Sequence, residues 1–450
     1  MPGREFHAAH ALLADGWAES IRIRVDAQGR IEAIGPGTAH GAEPLPGIVV
    51  GGMPNLHSHA FQYALAGLAE VRGPGADSFW TWREWMYRVA SALDPDALHL
   101  IARAVYARML AAGYTEVCEF HYVHGHREGV PAGGDTAMAD AVIAAAAETG
   151  IGMTLLPVLY QRGGFRDQPL STRQARFQLG TEAWLRLIET LRQRESPTLR
   201  IGMALHSLRA VTPAVLREVC ALPLAADRPI HIHIAEQPAE VEECLAVHGC
   251  RPVEWLLRET AVDARWCLVH ATHMRVEERQ ALARSGAVAG LCPTTEANLG
   301  DGQFPTAEFL NEGGVFGIGS DSQVSLDPAE ELRWLEYQAR LTSGSRNVLV
   351  SEQQRHVGSR LWQAALSGGA QAAGWRHAGL SVGARADFLC LEHDGLPAAP
   401  TLDRFVFAPG TVPLAAIYVA GRRVDHARAR EDWRAAEAAC RGWQRRLLNS

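Results

Sequence analysis

Eight short apolar runs, most of them followed by a stretch with helical periodicity, constrain this 450-residue chain more than any other feature. They are Ile48–Met53, Glu116–Phe120, Met153–Leu159, Ile201–Ala204, Ile230–Ile234, Cys267–Val269, Val288–Cys292 and Val315–Ile318. The segment from Asp96 to about Ala112 shows the intervening pattern, with Leu98, Ile101, Val105 and Met109 on one face of a helix. Strands alternating with helices eight times over predict an α/β fold, a (β/α)8 TIM-like barrel. Shorter strand patterns flank it: Ile21–Val25 and Ile31–Ile34 before, Ala386–Leu391 and Ala416–Val419 after, then an Arg- and Ala-rich helix. Chain ends commonly lie close together, so these flanks are expected to pair into one small β-sandwich domain. The expected division is 1–50 and 380–450 for that domain, the second part carrying the terminal helix, and 51–379 for the barrel.

Catalytic residues of such a barrel sit just beyond the C-terminal ends of its strands, and the sequence is chemically dense there. The first strand leads into NLHSHAFQ, where His57 and His59 leave an extended backbone on the same side. The fifth reads PIHIHIAEQ: His231 and His233 share a face, and His233 is nearer the rim. Asp321 closes the eighth strand. Three imidazoles and a carboxylate, His57, His59, His233 and Asp321, make a plausible shell for one divalent metal ion, zinc first and iron(II) as the alternative, with one position left open. Glu236 lies three residues past His233, and His270 ends the sixth strand, where it faces substrate or attacking water. His273 reads as a loop histidine, and His121, His124 and His126 as loop polars.

Composition removes several other chemistries. All 43 basic residues are arginine, so there is no P-loop lysine, no pyridoxal-phosphate Schiff base and no lysine to bridge a pair of metals. GxGxxG and HExxH are absent. A net charge of −7 argues against a nucleic-acid partner. The eight cysteines never fall as C-x-x-C and read as reduced core residues. No apolar run approaches membrane-spanning length and the start lacks a secretory pattern, so a cytoplasmic protein with no membrane partner is expected.

The order HxH, His, His, Asp along strands 1, 5, 6 and 8 resembles the amidohydrolase superfamily, and without a lysine after strand 4 the resemblance implies a mononuclear site. HSHAFQ, SFWTWREWMY, EFHYVHG, ALHSLRAV, HIHIAEQ and CPTTEANLGDG are similar, within it, to the formimidoylglutamate deiminases. That resemblance implies deimination of N-formimino-L-glutamate, with Glu236, His270 and Asp321 as catalytic residues. It implies that Gln62, Arg83, Tyr122, His206 and Arg209 bind the diacid, and that the protein is a homodimer. Arginine forks suit carboxylates, although Arg83 in its aromatic loop could instead stack on Trp80 or Trp82. A deaminase acting on a guanine-like heterocycle is the alternative, since the aromatic loop could stack a base.

Overall fold

The computed structural model of this protein describes residues 3–72, 75, 78–125 and 135–449. Eight strands form the barrel: β1 (Met53–Ser58), β2 (Tyr114–His121), β3 (Gly152–Leu159), β4 (Met203–Ser207), β5 (Ile230–Ile234), β6 (Trp266–His270), β7 (Val288–Leu291) and β8 (Val315–Ile318). Each pairs in parallel with the next, and the short strand Leu199–Ile201 adds to β3. Helices cover the outside, so these strands are buried on both faces, which is why they read as continuous apolar runs rather than as alternations.

Between β1 and β8 there is no full ladder. The seam is closed at the C-terminal rim, where the Asp321 amide donates to the His57 carbonyl (3.0 Å) and the His59 amide to the Asp321 carbonyl (3.2 Å). Below that, the helix Val357–Ala372 lies across the gap. A Cβ on Gly368 would stand 1.9 Å from the Phe316 carbonyl oxygen, and one on Gly317 2.8 Å from the Gly369 nitrogen. Only glycine allows backbones to approach this closely.

The two chain ends form a second sheet, as expected, although its hydrogen bonding is that of one continuous eight-stranded sheet and not of two separate ones. The segment Ile48–Met53 is a correction to the predicted strands. Ile48–Gly51 pairs antiparallel with Phe388–Leu391 in the second sheet, and the barrel's first strand starts at Met53. The period of two explains why both readings fit an apolar run. Val49, Phe388, Cys390, Ala416 and Tyr418 point into the second sheet's own core with Phe6, Ile21 and Ile23, while Ile48, Val50, Leu389, Leu391, Ile417 and Val419 point into the barrel's core. The strands shared by two cores carry no polar face.

Gly368→Ala should force the covering helix off the seam. Overpacking of a close backbone contact costs about 1–3 kcal/mol or more. A lowered denaturation midpoint with unchanged far-ultraviolet circular dichroism is the expected result.

Candidate metal centre and substrate cavity

The rim gathers four of the predicted side chains at one point. His57 and His59 leave β1 on one side, His233 leaves β5, and their Nε2 atoms stand 3.1 Å (His57 to His59), 3.3 Å (His59 to His233) and 3.1 Å (His233 to His57) apart. Asp321 Oδ1 lies 3.5 Å from His57 Nε2 and 3.3 Å from His59 Nε2. A tetrahedral shell with metal–nitrogen bonds of roughly 2.0–2.1 Å has edges of about 3.3 Å, close to these spacings.

The ring orientations test the fit further. His59 Nδ1 donates to the Phe120 carbonyl (3.0 Å) and His233 Nδ1 to the His206 carbonyl (3.0 Å), so both Nε2 atoms present lone pairs inward. Burial lowers the pKa of all three imidazoles, and for His57 and His233 the neighbouring histidines lower it further. Protons cannot hold three converging lone pairs under those conditions. A divalent cation fits them.

Glu236 and His270 stand beside this group. His270 Nε2 is 3.8 Å from Glu236 Oε1 and 3.8 Å from Asp321 Oδ2, and is buried with no hydrogen-bond partner. Its Nδ1 faces Glu296 Oε1 at 3.3 Å. Burial opposes a charge on His270, but the carboxylates of Glu236, Glu296 and Asp321 outweigh it and raise its pKa. Burial raises the Glu236 carboxyl. Glu240 holds the turn carrying Glu236: its Oε1 accepts from the Ala235 amide (3.1 Å), and Ala235 has φ +51°. His270 and Asp321 also take positive φ, +68° and +44°.

The cavity above these groups is lined by the remaining predicted residues, Gln62, Arg83, Tyr122, His206 and Arg209. Gln62 Nε2 donates to the Tyr122 hydroxyl (3.0 Å), leaving its own Oε1 buried and unpaired. His206 reaches the cavity because the pairing of β4 with β5 shifts register between Leu205 and Ser207. Arg209 has a buried, unpartnered Nε. Burial alone would lower its pKa, but Glu240 and Glu236 carry it the other way.

Arg83 requires a correction, because the segment read as an aromatic loop is the helix Phe79–Ala92. Ser78 caps it, and the Thr81 hydroxyl closes the capping box. Phe79, Trp82, Arg83, Met86 and Tyr87 all line the cavity from a single helical face. Arg83 Cζ sits 4.8 Å from the centroid of Trp80, so the arginine stacks and faces the cavity at once.

His121 is a strand residue and not a loop polar, and His124, in the loop that follows, is buried. His121 ends β2, both rings are buried 5.3 Å apart, and His124 Nε2 donates to the Val158 carbonyl (2.9 Å). His126 lies outside the described residues. His231 faces away from the rim group and bonds the Ala372 carbonyl (2.8 Å). His273 is in a loop, its Nε2 donating to the Asp301 carbonyl (2.7 Å).

Three carboxylates at the site went unpredicted: Glu240, Glu296 and Glu119. Glu119 accepts from the Ser58 hydroxyl (2.7 Å) and the Ala60 amide (2.8 Å), while burial pushes its carboxyl up to about 7. Only the CPTTE motif hinted at one of them, since Glu296 follows a strand end by the length of one helical turn.

A rim of this kind on an α/β barrel defines a class of metal-dependent hydrolase, and the chain belongs to the amidohydrolase family, whose model matches residues 45–424. Ahead of that span, residues 4–45 match the model described as formimidoylglutamate deiminase HutF, N-terminal domain. A formimidoylglutamate deiminase of Pseudomonas aeruginosa is 51% identical over 93% of this chain and 93% of its own. An 8-oxoguanine deaminase of the same organism is 26% identical over 88% and 84%. Among solved structures, an amidohydrolase from Brucella melitensis aligns with a TM-score of 0.89 and 46% identity, covering 97% of this chain and 99% of that one. An adenosine deaminase from Xanthomonas campestris with bound zinc aligns at 0.79 with 22% identity, covering 99% and 98%. No helix among the described residues is long and apolar enough to cross a membrane.

His233→Ala removes one of three nitrogen donors that the fold brings together. Metal analysis of the purified variant should find stoichiometric binding lost, with the circular dichroism spectrum retained.

Proposed function

We propose that this chain hydrolyses N-formimino-L-glutamate to N-formyl-L-glutamate and ammonia, using one divalent ion, zinc first, held by His57, His59, His233 and Asp321. The observation that carries the reading is the pairing of this shell with two arginines, Arg83 and Arg209, that line the same cavity. The 51% identity to a formimidoylglutamate deiminase supports it. When bound, the ion supplies Lewis acidity and brings the pKa of a water from 15.7 toward about 7.

The chain's own residues divide the remaining work. Arg83 and Arg209 offer guanidinium forks to the two carboxylates, and Tyr122, Gln62 and His206 supply further polar contacts. Gln62 is already committed to Tyr122 through its amide nitrogen, so its free Oε1 is the atom available to an N–H of the substrate. Asp321 accepts a proton from the attacking water. His270, kept cationic by its three carboxylate neighbours, donates toward the developing oxyanion. Glu236, which is 3.8 Å from His270 and faces the cavity, carries a proton to the departing nitrogen. Water's oxygen ends on the formyl carbon, and the C=N nitrogen leaves as ammonia.

Glu236→Gln should retain the metal and lose turnover by about 10²–10⁴-fold, the usual worth of general acid–base help. Loss of the metal together with activity would move Glu236 into the shell. Arg209→Ala should raise KM for the diacid with a smaller change in kcat; steady-state kinetics with an unchanged KM would remove it from the substrate site. Ammonia release from formiminoglutamate, measured beside guanine, decides the substrate. Turnover of guanine alone would overturn the reading, since a neutral ring has no use for two cationic forks.

A further inference from the structure

Five buried polar side chains lie directly behind the metal ligands, in a region where each must find a partner or carry a cost of about 1–3 kcal/mol. They are Asn55 and Ser58 on β1, Glu119 on β2, and Ser320 and Gln323 beyond β8, of which only Glu119 has measurable exposure, at 3%. Their bond directions follow from backbone donors alone. Asn55 Oδ1 accepts from the amides of Ser320 (3.1 Å) and His57 (3.3 Å), so its other end must be the NH₂ group. That group donates to Ser320 Oγ (2.7 Å), whose single proton then goes to Gln323 Oε1 (2.7 Å). Gln323 Nε2 therefore donates to Ser58 Oγ (2.9 Å), and Ser58 donates to Glu119 Oε2 (2.7 Å). In its ionised form the group at the end of the run only accepts, and Glu119 Oε1 also takes the Ala60 amide (2.8 Å).

We infer that Gln323 and Glu119 are positioning residues for the metal centre. Through Ser58 and Ser320 they form a one-way hydrogen-bonded chain across the barrel seam, which fixes the His57–His59 segment against Asp321. The chain threads between the ligands, since Ser58 separates the two histidines and Ser320 precedes Asp321. Gln323 holds φ +68°, a conformation it would not adopt without these bonds. The ligands' own hydrogen bonds to Phe120 and His206 orient their rings; this second set fixes the distance between the two strands that carry them.

The inference rests on the metal reading above, so the experiment begins with the wild-type protein. Metal-free wild type is titrated with Zn²⁺ against a chromophoric chelator, and the visible spectrum of its Co²⁺ form is recorded. Gln323→Met and Glu119→Gln are then compared. The second is isosteric but cannot accept at both ends, so the Ser58 hydroxyl proton loses its acceptor and the one-way order is broken. Each should weaken Zn²⁺ binding about 10–100-fold, the usual cost of losing such support, and alter the Co²⁺ bands. The double variant should be little worse than either single one, because a chain broken once is already broken. Folded variants with wild-type Zn²⁺ affinity and an unchanged Co²⁺ spectrum would overturn the inference while leaving the metal reading intact. Wild type that takes up no Zn²⁺ would overturn the metal reading itself. Should the larger changes prevent folding, Ser58→Ala, which removes one oxygen, carries the same two expectations.

Discussion

The two backbone hydrogen bonds between Asp321 and the His57–His59 segment hold more than a sheet edge together. A parallel barrel must close, and here β1 and β8 meet properly only at the rim, through residues whose side chains converge at the candidate metal centre. Closing the barrel and assembling the shell are therefore the same event. Positive φ at Ala235, His270, Asp321 and Gln323 costs on the order of 1–3 kcal/mol per residue. Such conformations persist where surrounding bonds over-determine them. The Ile234 carbonyl accepts from Ala271, Glu240 accepts from Ala235, and the seam network fixes Gln323.

Burial sets the chemistry of the centre. Burial disfavours protons on all three imidazoles, and the Nδ1 donors of His59 and His233 are spent on backbone carbonyls outside the group, so their lone pairs point inward. His270 differs from the other three although it is buried as deeply. Besides the rings of His57 and His233 it faces the carboxylates of Glu236, Glu296 and Asp321, and the balance of desolvation and charge reverses. One rim thus holds histidines of two kinds, three that burial disposes to stay neutral and one that its carboxylate neighbours dispose to take a proton, separated by a few ångströms.

The barrel, and the convergence of His57, His59, His233 and Asp321 at one point of its rim, are legible in the sequence because each rests on a local pattern. An HxH pair on a strand converges whatever surrounds it, and Asp321 and His233 stand at strand ends that can be located by hydropathy. What was lost had nonlocal causes. Ile48–Met53 is uniformly apolar because two cores share it, so nothing in it marks the Gly51-Gly52 transfer from one sheet to the other. The aromatic run after Ser78 is a helix and not a loop, and its signal is present in the sequence: Phe79, Trp82, Arg83, Met86 and Tyr87 recur at helical spacing behind a good cap. His206 depends on a register shift against β5. Glu119 and Gln323 gain their meaning only from partners about 60 and 265 positions away, and a buried glutamate in an apolar strand signals that some partner exists without saying which.

The absence of lysine acquires a physical sense in the cavity. Arg209 is partly buried beside His206, with its Nε enclosed and unpartnered, conditions that disfavour the charge on a buried ammonium. A guanidinium keeps its charge there, helped by Glu240 and Glu236, and its planar fork meets a carboxylate with two parallel bonds. Arg83 is held against the faces of Trp80 and Tyr87, 4.8 and 5.3 Å from their ring centroids. Both cations are therefore permanent features of the wall, set before any ligand arrives. On the proposed reading the two arginines would meet the two carboxylates of the substrate, leaving Glu236 and His270, which line the same cavity, to the reacting end.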